Sequence, residues 1–140
     1  MAQKSKKTLK KEAWSAFSAF IRTRDCLRFS GLPDEGMCVT CKREYPYKKL
    51  QAGHFIGGRT NAVLFDERIV YSQCYGCNVG KSGNYLDYFY FMEEEIGRPA
   101  IDALVIELKE KKVAYSVEDY INIKSLYENK REKLLTQYSS

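Results

Sequence analysis

The stretch that decides the fold is CVTCKREYPYKKLQAGHFIGGRTNAVLFDERIVYSQCYGCN, residues 38–78. It opens on one C-x-x-C pair, Cys38 and Cys41, and closes on another, Cys74 and Cys77, with Asn78 directly after. Two residues between thiolates let both sulfurs reach one ion from a tight turn, and two such knuckles supply the four ligands of a tetrahedral zinc. A redox C-x-x-C would sit in a βαβ pattern, which this sequence lacks, and would not need two copies. The spacing therefore predicts a structural Zn²⁺ on Cys38, Cys41, Cys74 and Cys77. Four thiolates close the coordination shell, so such a metal holds structure and leaves any chemistry to other residues.

The rest of the stretch agrees with a stapled element. Gly53, Gly57, Gly58 and Gly76 lie in it, with Gly80 and Gly83 just beyond, and Leu and Ile are few. Packing alone cannot hold such a segment. Only short runs, 49–55 and 67–71, read as strands.

Working outward, residues 8–24 carry an apolar stripe of Leu9, Ala13, Trp14, Phe17, Phe20 and Ile21 at helical spacing, ended by the turn-rich SGLPDEG at 30–36. On the other side, 85–96 reads as a helix stopped by Gly97, and Pro99 starts a second with Ile101, Leu104, Val105 and Leu108 along one face. Ser116 with Asp119 resembles a capping box and opens a third helix through Ile121, Leu126 and Leu134. The expected fold class is α+β: a zinc-stapled core at 37–83, flanked by a basic N-terminal helix within 1–30 and a helical C-terminal region at 84–138, all in one domain, 1–140.

Composition bounds the function. At 140 residues, with 44% hydrophobic and 29% charged, the chain has the make-up of one folded domain. No run of 18 apolar residues could span a bilayer, and no apolar segment follows MAQKSKKTLKKEAW, so neither membrane insertion nor secretion is expected. A reducing cytoplasm is the expected compartment. There, five cysteines, an odd number, argue for metal over disulfides; Cys26 is left without a role.

Charge is uneven. Residues 1–30 hold eight Lys and Arg against two acidic residues, and 38–82 hold seven against three. Residues 83–140 hold eight against eleven. A polyanionic partner would thus meet the first half of the chain.

The only histidine, His54, lies between the knuckles in QAGHF. After a short strand and beside flexible glycines, a neutral imidazole there could take a proton from water; it could equally be a hydrogen-bonded structural group. Asn78 has two readings too. Its amide oxygen is a hard ligand suited to Mg²⁺ or Mn²⁺, facing a cleft if a short helix starts at the knuckle, or it caps nearby backbone.

Together, C-x-x-C, Gly-His on a strand and C-x-x-C-Asn resemble the HNH, or His-Me finger, nucleases, which implies that the zinc-stapled core at 37–83 is a ββα finger, a β-hairpin and a helix around one catalytic metal. More narrowly, LQAGHFIGGR, FDER at 65–68, QCYGCN at 73–78, SGN at 82–84 and YSVEDYINIKSLYENK look like the NinG (Rap) family of lambdoid phage recombination proteins. The resemblance runs from the first helix to about residue 135. It implies cleavage of branched DNA, such as Holliday junctions and D-loops, with His54 as general base, Asn78 on a catalytic Mg²⁺ or Mn²⁺, and the four cysteines on zinc. Other phage recombination proteins are implied as partners.

Two positions depart from the HNH pattern. The Asp that often precedes the base as a metal ligand is Gly53, and the Asn that usually orients the base is Ile69. A backbone carbonyl or another residue must then orient His54; Asp66 and Glu67 lie nearby without an assigned role.

For DNA, Arg59 and Arg68 could hold phosphates in a bidentate fork, with Lys48, Lys49 and Lys81 adding charge and the lysines from Lys4 to Lys11 forming a mobile arm. Each could also be a solvated surface charge. Tyr85, Tyr88, Phe89, Phe91 and Met92 read as core rather than as a base-stacking surface. A homodimer through the C-terminal helices would offer two sites to opposed strands, though no clean heptad marks it. The alternatives to a junction nuclease are a non-catalytic zinc module that binds DNA or a recombination partner, and a general HNH nicking enzyme.

Overall fold

A computed structural model describes residues 4–58 and 60–140. Helix α1 spans Lys6–Ser30. Ser5 begins it, its hydroxyl accepting from the Thr8 N–H, and Gly31 ends it in the left-handed conformation with φ 78°, donating its N–H to the Leu27 carbonyl. The helix runs a turn and a half beyond the apolar stripe. Its first turns carry Lys6, Lys7, Lys10 and Lys11, and Lys4 is ion-paired with Glu12, so these lysines form no mobile arm.

Two small antiparallel ribbons follow. Strands β1 (Glu35–Met37) and β2 (Glu44–Pro46) flank the first knuckle. Strands β3 (Leu50–His54) and β4 (Val70–Cys74) form the second ribbon, with Gln51 opposite Gln73 and Gly53 opposite Tyr71. The expected strand at 67–71 is displaced. Asp66 accepts from the Arg68 N–H and turns Glu67–Ile69 into a 3₁₀ turn, so extended structure starts only at Val70.

All five residues of β4 are buried, as a strand covered on both faces must be. Alternation sorts them. Ala52 and Val70 face a core with Phe17, Phe20 and Ile21 of α1, while Tyr71 faces a second core with Tyr88, Phe91 and Met92. The ribbon is the wall between them.

The outer edge of β4 is bonded to its surroundings. Buried Asp25 of α1 accepts from the Ser72 N–H at 2.8 Å, Arg24 donates to the Val70 carbonyl at 2.7 Å, and the Val39 N–H takes the Ser72 carbonyl. Burial raises the Asp25 carboxyl above its ordinary value even though Arg24 is salt-bridged to it at 2.8 Å.

Helix α2 is one turn, Asn61–Leu64. Helices α3 (Tyr85–Ile96), α4 (Arg98–Glu110) and α5 (Val117–Ser139) match the sequence reading, and both bonds of the Ser116–Asp119 capping box form. The buried face of α5 differs from the expected one. Tyr120 and Tyr127 are its buried residues, whereas Ile121 and Leu126 are about half exposed. Aromatic geometry selects that face: Phe17 meets Tyr127 edge-on at 4.8 Å and Phe65 edge-on at 5.6 Å. Among the described residues no helix is long and apolar enough to cross a membrane.

Candidate functional site

The sulfur atoms of Cys38, Cys41, Cys74 and Cys77 lie within 4.8 Å of one another. Cys41 Sγ and Cys74 Sγ are 3.9 Å apart, close to the edge of a tetrahedron of sulfurs at about 2.3 Å from zinc and far too long for a disulfide. The donor set fits the metal. The Cys41 N–H points at Cys38 Sγ and the Cys77 N–H at Cys74 Sγ, at 3.5 and 3.4 Å, and Asn84 Nδ2 reaches Cys77 Sγ at 3.5 Å. Burial opposes ionisation of Cys38, but the Cys41 N–H and the Thr40 hydroxyl bring it down to about 7; burial and the neighbouring sulfurs push Cys41 up to about 12. Four sulfurs this close could hold one metal ion such as zinc.

Cys26 stands apart. Its buried sulfur occupies the space that Gly36 leaves open, 2.7 Å from where a Cβ would be, and burial raises its thiol to about 11. It is a packing residue.

His54 ends β3 on the face toward α1. Its ring stacks on Trp14, with centroids 5.3 Å apart and planes 17° from parallel, and Nε2 lies 3.1 Å from the Leu64 carbonyl. A carbonyl only accepts, so Nε2 carries a proton. Leu64 can offer its oxygen because it ends a one-turn helix with no following turn to use it. That helix is pinned in place: Asn61 donates to the Val113 carbonyl and the Tyr115 hydroxyl donates to the Asn61 carbonyl. A backbone carbonyl thus does the orienting that Ile69, buried in the core, cannot.

Asn78 lies in a π-helical turn, Gly76–Gly80, not in a short α-helix. It is half-buried, and its Nδ2 donates to Gln51 Oε1 at 2.8 Å. Its Oδ1 is 3.0 Å from the point a Cβ on Gly53 would occupy. Gln73 Oε1 lies only 1.8 Å from that same point. Gln73 is fully buried, with Nε2 donating to the Gly83 carbonyl at 2.8 Å and to Thr40 Oγ1 at 3.2 Å, while Oε1 has no hydrogen-bond partner among the described residues. An acceptor left this way costs about 1–3 kcal/mol.

The candidate DNA residues are scattered. Lys48, Lys49 and Lys81 are exposed, the first two in a 3₁₀ turn, Tyr47–Lys49, leading into β3. Arg59 lies outside the described residues. Arg68 is engaged within the chain, paired with Asp66 at 2.7 Å and Glu107 at 2.5 Å. Glu67 accepts from the Tyr127 hydroxyl and from Lys130, so both acidic residues near His54 are structural. Tyr88, Phe91 and Met92 are core, but Tyr85 is 48% exposed, its hydroxyl against Gly57 in the loop after His54.

Sequence reasoning missed Gln73, the Leu64 carbonyl and the contact of Trp14 with His54. Gln73 carried one usable signal: a large polar residue in a buried strand, diagonal to a glycine on the neighbouring one.

Three relatives bear on these residues. Protein ninG of Salmonella phage P22 is 36% identical over 128 residues, covering 89% of this chain and 56% of its own length. Protein ninG of Escherichia phage 933W is 35% identical and that of Escherichia phage lambda 34%, each over 128 residues, with 57% and 56% of their lengths covered. The chain thus spans little more than half of these relatives. No solved structure matches it. The model of the bacteriophage lambda NinG protein family matches residues 1–137, nearly end to end, and the chain belongs to that family.

Proposed function

We propose that the protein is a divalent-metal-dependent endonuclease of the HNH, or His-Me finger, type that cuts branched DNA intermediates of phage recombination in the infected cell. On this reading β3, β4 and the knuckle turn make up the ββα element, and the four cysteines hold zinc purely as a staple. The observation that carries it is how His54 is held at the end of β3: its ring stacks on Trp14 and its Nε2–H donates to the Leu64 carbonyl, an orientation in which Nδ1 of the neutral ring would be the proton acceptor.

In the proposed step His54 takes a proton from water as the water oxygen bonds to phosphorus, and the bond from phosphorus to the 3′ oxygen breaks. The leaving oxygen takes its proton from solvent. Asn78 would help to hold a Mg²⁺ or Mn²⁺ ion, which when bound would polarise the phosphate and stabilise that oxygen. Exposed Lys48, Lys49 and Lys81, together with Arg59, would meet the DNA backbone. Arg68 would join them only by giving up Asp66 and Glu107.

The test is cutting of a synthetic four-way junction and a matched linear duplex in Mg²⁺ or Mn²⁺. The wild type should cut the junction preferentially, and His54→Ala should lose cutting while keeping zinc content and junction binding. Equal cutting of both substrates points to a general nicking enzyme. Junction binding without cutting by the wild type, in either ion, leaves a non-catalytic zinc module.

A further inference from the structure

We propose that Gln73 is a ligand of the divalent cation beside His54, its side-chain oxygen supplying the contact for which Gly53 has no side chain. The assignment rests on the nuclease reading for its purpose, but the observations behind it are independent of that reading.

The orientation of the Gln73 amide is fixed. The Gly83 carbonyl accepts only from a donor, so Nε2 must face it, and Oε1 must then face Gly53. Asn78 donates its Nδ2 to Gln51 Oε1, which turns its own Oδ1 toward the same place. Two hard oxygens of the same partial charge thus lie beside Gly53, and among the described residues one of them, Gln73 Oε1, is a buried acceptor with no donor. Buried acceptors are rarely left so. A small cation that prefers oxygen satisfies both, and Mg²⁺ or Mn²⁺ is the class these ligands suit.

Gly53 and Gln73 form a locked pair. Any side chain at position 53, including a carboxylate, would place its Cβ 1.8 Å from Gln73 Oε1. A ligand at position 53 would push the Gln73 amide out of its present place. Access runs from the side of Asn78, which is half-buried while Gly53 and Gln73 are buried. With two neutral amides and no carboxylate, the site binds a cation weakly by itself. Its remaining ligands are water and a DNA phosphate, so DNA and cation bind each other's complex more tightly than the protein alone.

The experiment uses the zinc-loaded full chain, labelled with ¹⁵N, and Mn²⁺ as the probe. Substoichiometric Mn²⁺ should broaden the side-chain NH₂ signals of both Gln73 and Asn78 and spare that of Gln137 on α5. By counting free Mn²⁺ with electron paramagnetic resonance, Gln73→Ala should bind Mn²⁺ about tenfold more weakly with zinc content unchanged. Gly53→Asp/Gln73→Ala, which puts a carboxylate into the vacated space, should bind at least about tenfold more tightly than Gln73→Ala. Gln73 signals that stay sharp while those of Asn78 vanish overturn the assignment, and so does a folded double variant that binds no better than Gln73→Ala. If no amide broadens but the wild type cuts junctions in Mn²⁺, the Gln73 assignment falls and the nuclease reading stands. Broadened Gln73 signals in a protein that cuts nothing sink the nuclease reading and leave the cation site.

Discussion

The two ends of the β3–β4 ribbon are held by different physics. At the Leu50–Cys74 end, four sulfurs from two tight knuckles converge within 4.8 Å, and every ligand comes from a motif of four residues. At the His54–Val70 end there is no such staple. His54 is held there by Trp14, forty residues earlier, and by a carbonyl from α2, which in turn hangs on the connection between α4 and α5. One end is local, built from two short motifs whose four sulfurs could share a metal ion. The other is assembled from distant aromatic and backbone contacts, and it carries the proposed chemistry. A rigid anchor at one end of a short ribbon leaves the other end to be positioned by the helices.

Each end can be broken separately. The largest effect is expected at the sulfur end: Cys77→Ser, or zinc removal by a chelator, should abolish cooperative unfolding by circular dichroism. Structural zinc is worth about 10 kcal/mol in small domains, comparable to the whole stability of a domain this size. Retention of a sharp transition after complete zinc loss would mean that the helices suffice.

At the other end, Trp14→Ala should cost about 3 kcal/mol in chemical denaturation, the low end of the range for a buried Trp because Trp14 is only partly buried. Zinc stoichiometry should be unchanged, while the His54 ring resonances shift. A variant that loses zinc as well would show that the two ends are not independent.

The smallest effect is a pH test of the Arg68 staple. Burial pushes Asp66 up, but the Arg68 guanidinium and N–H hold it below its ordinary 3.8. Its carboxylate therefore stabilises the fold above pH ~4, and that stability is lost as pH falls through the depressed value, because the unfolded chain takes up the proton first. Asp66→Asn should lower stability at neutral pH by under about 1 kcal/mol and flatten the acid limb of the profile. An unchanged acid limb would assign that limb to other carboxylates.

The contrast between the ends also explains what was legible in the sequence. The knuckles, the stripe of α1 and the Ser116 cap are encoded within a few residues, and each formed as read. The strand at 67–71 was misplaced because one Asp66 side chain turned the backbone before it could extend. The face of α5 was misjudged because Ile121 and Leu126 are as apolar as the residues that bury, and only the edge-on fit of Tyr127 to Phe17 selects between them. Gln73 could not be found by spacing at all. Its meaning depends on the register that sets it diagonal to Gly53.

The bonds along the outer edge of β4 bear on how copies of this protein can meet. A two-stranded ribbon with an open edge is a template for strand addition, by a peptide or by a second copy. Here the Val70 carbonyl and both backbone groups of Ser72 are already taken by Arg24, Asp25 and Val39, and a newcomer would have to displace a buried carboxylate to pair there. Growth of the sheet on that side is blocked, so self-association that uses this side of the molecule must be built from helix surfaces.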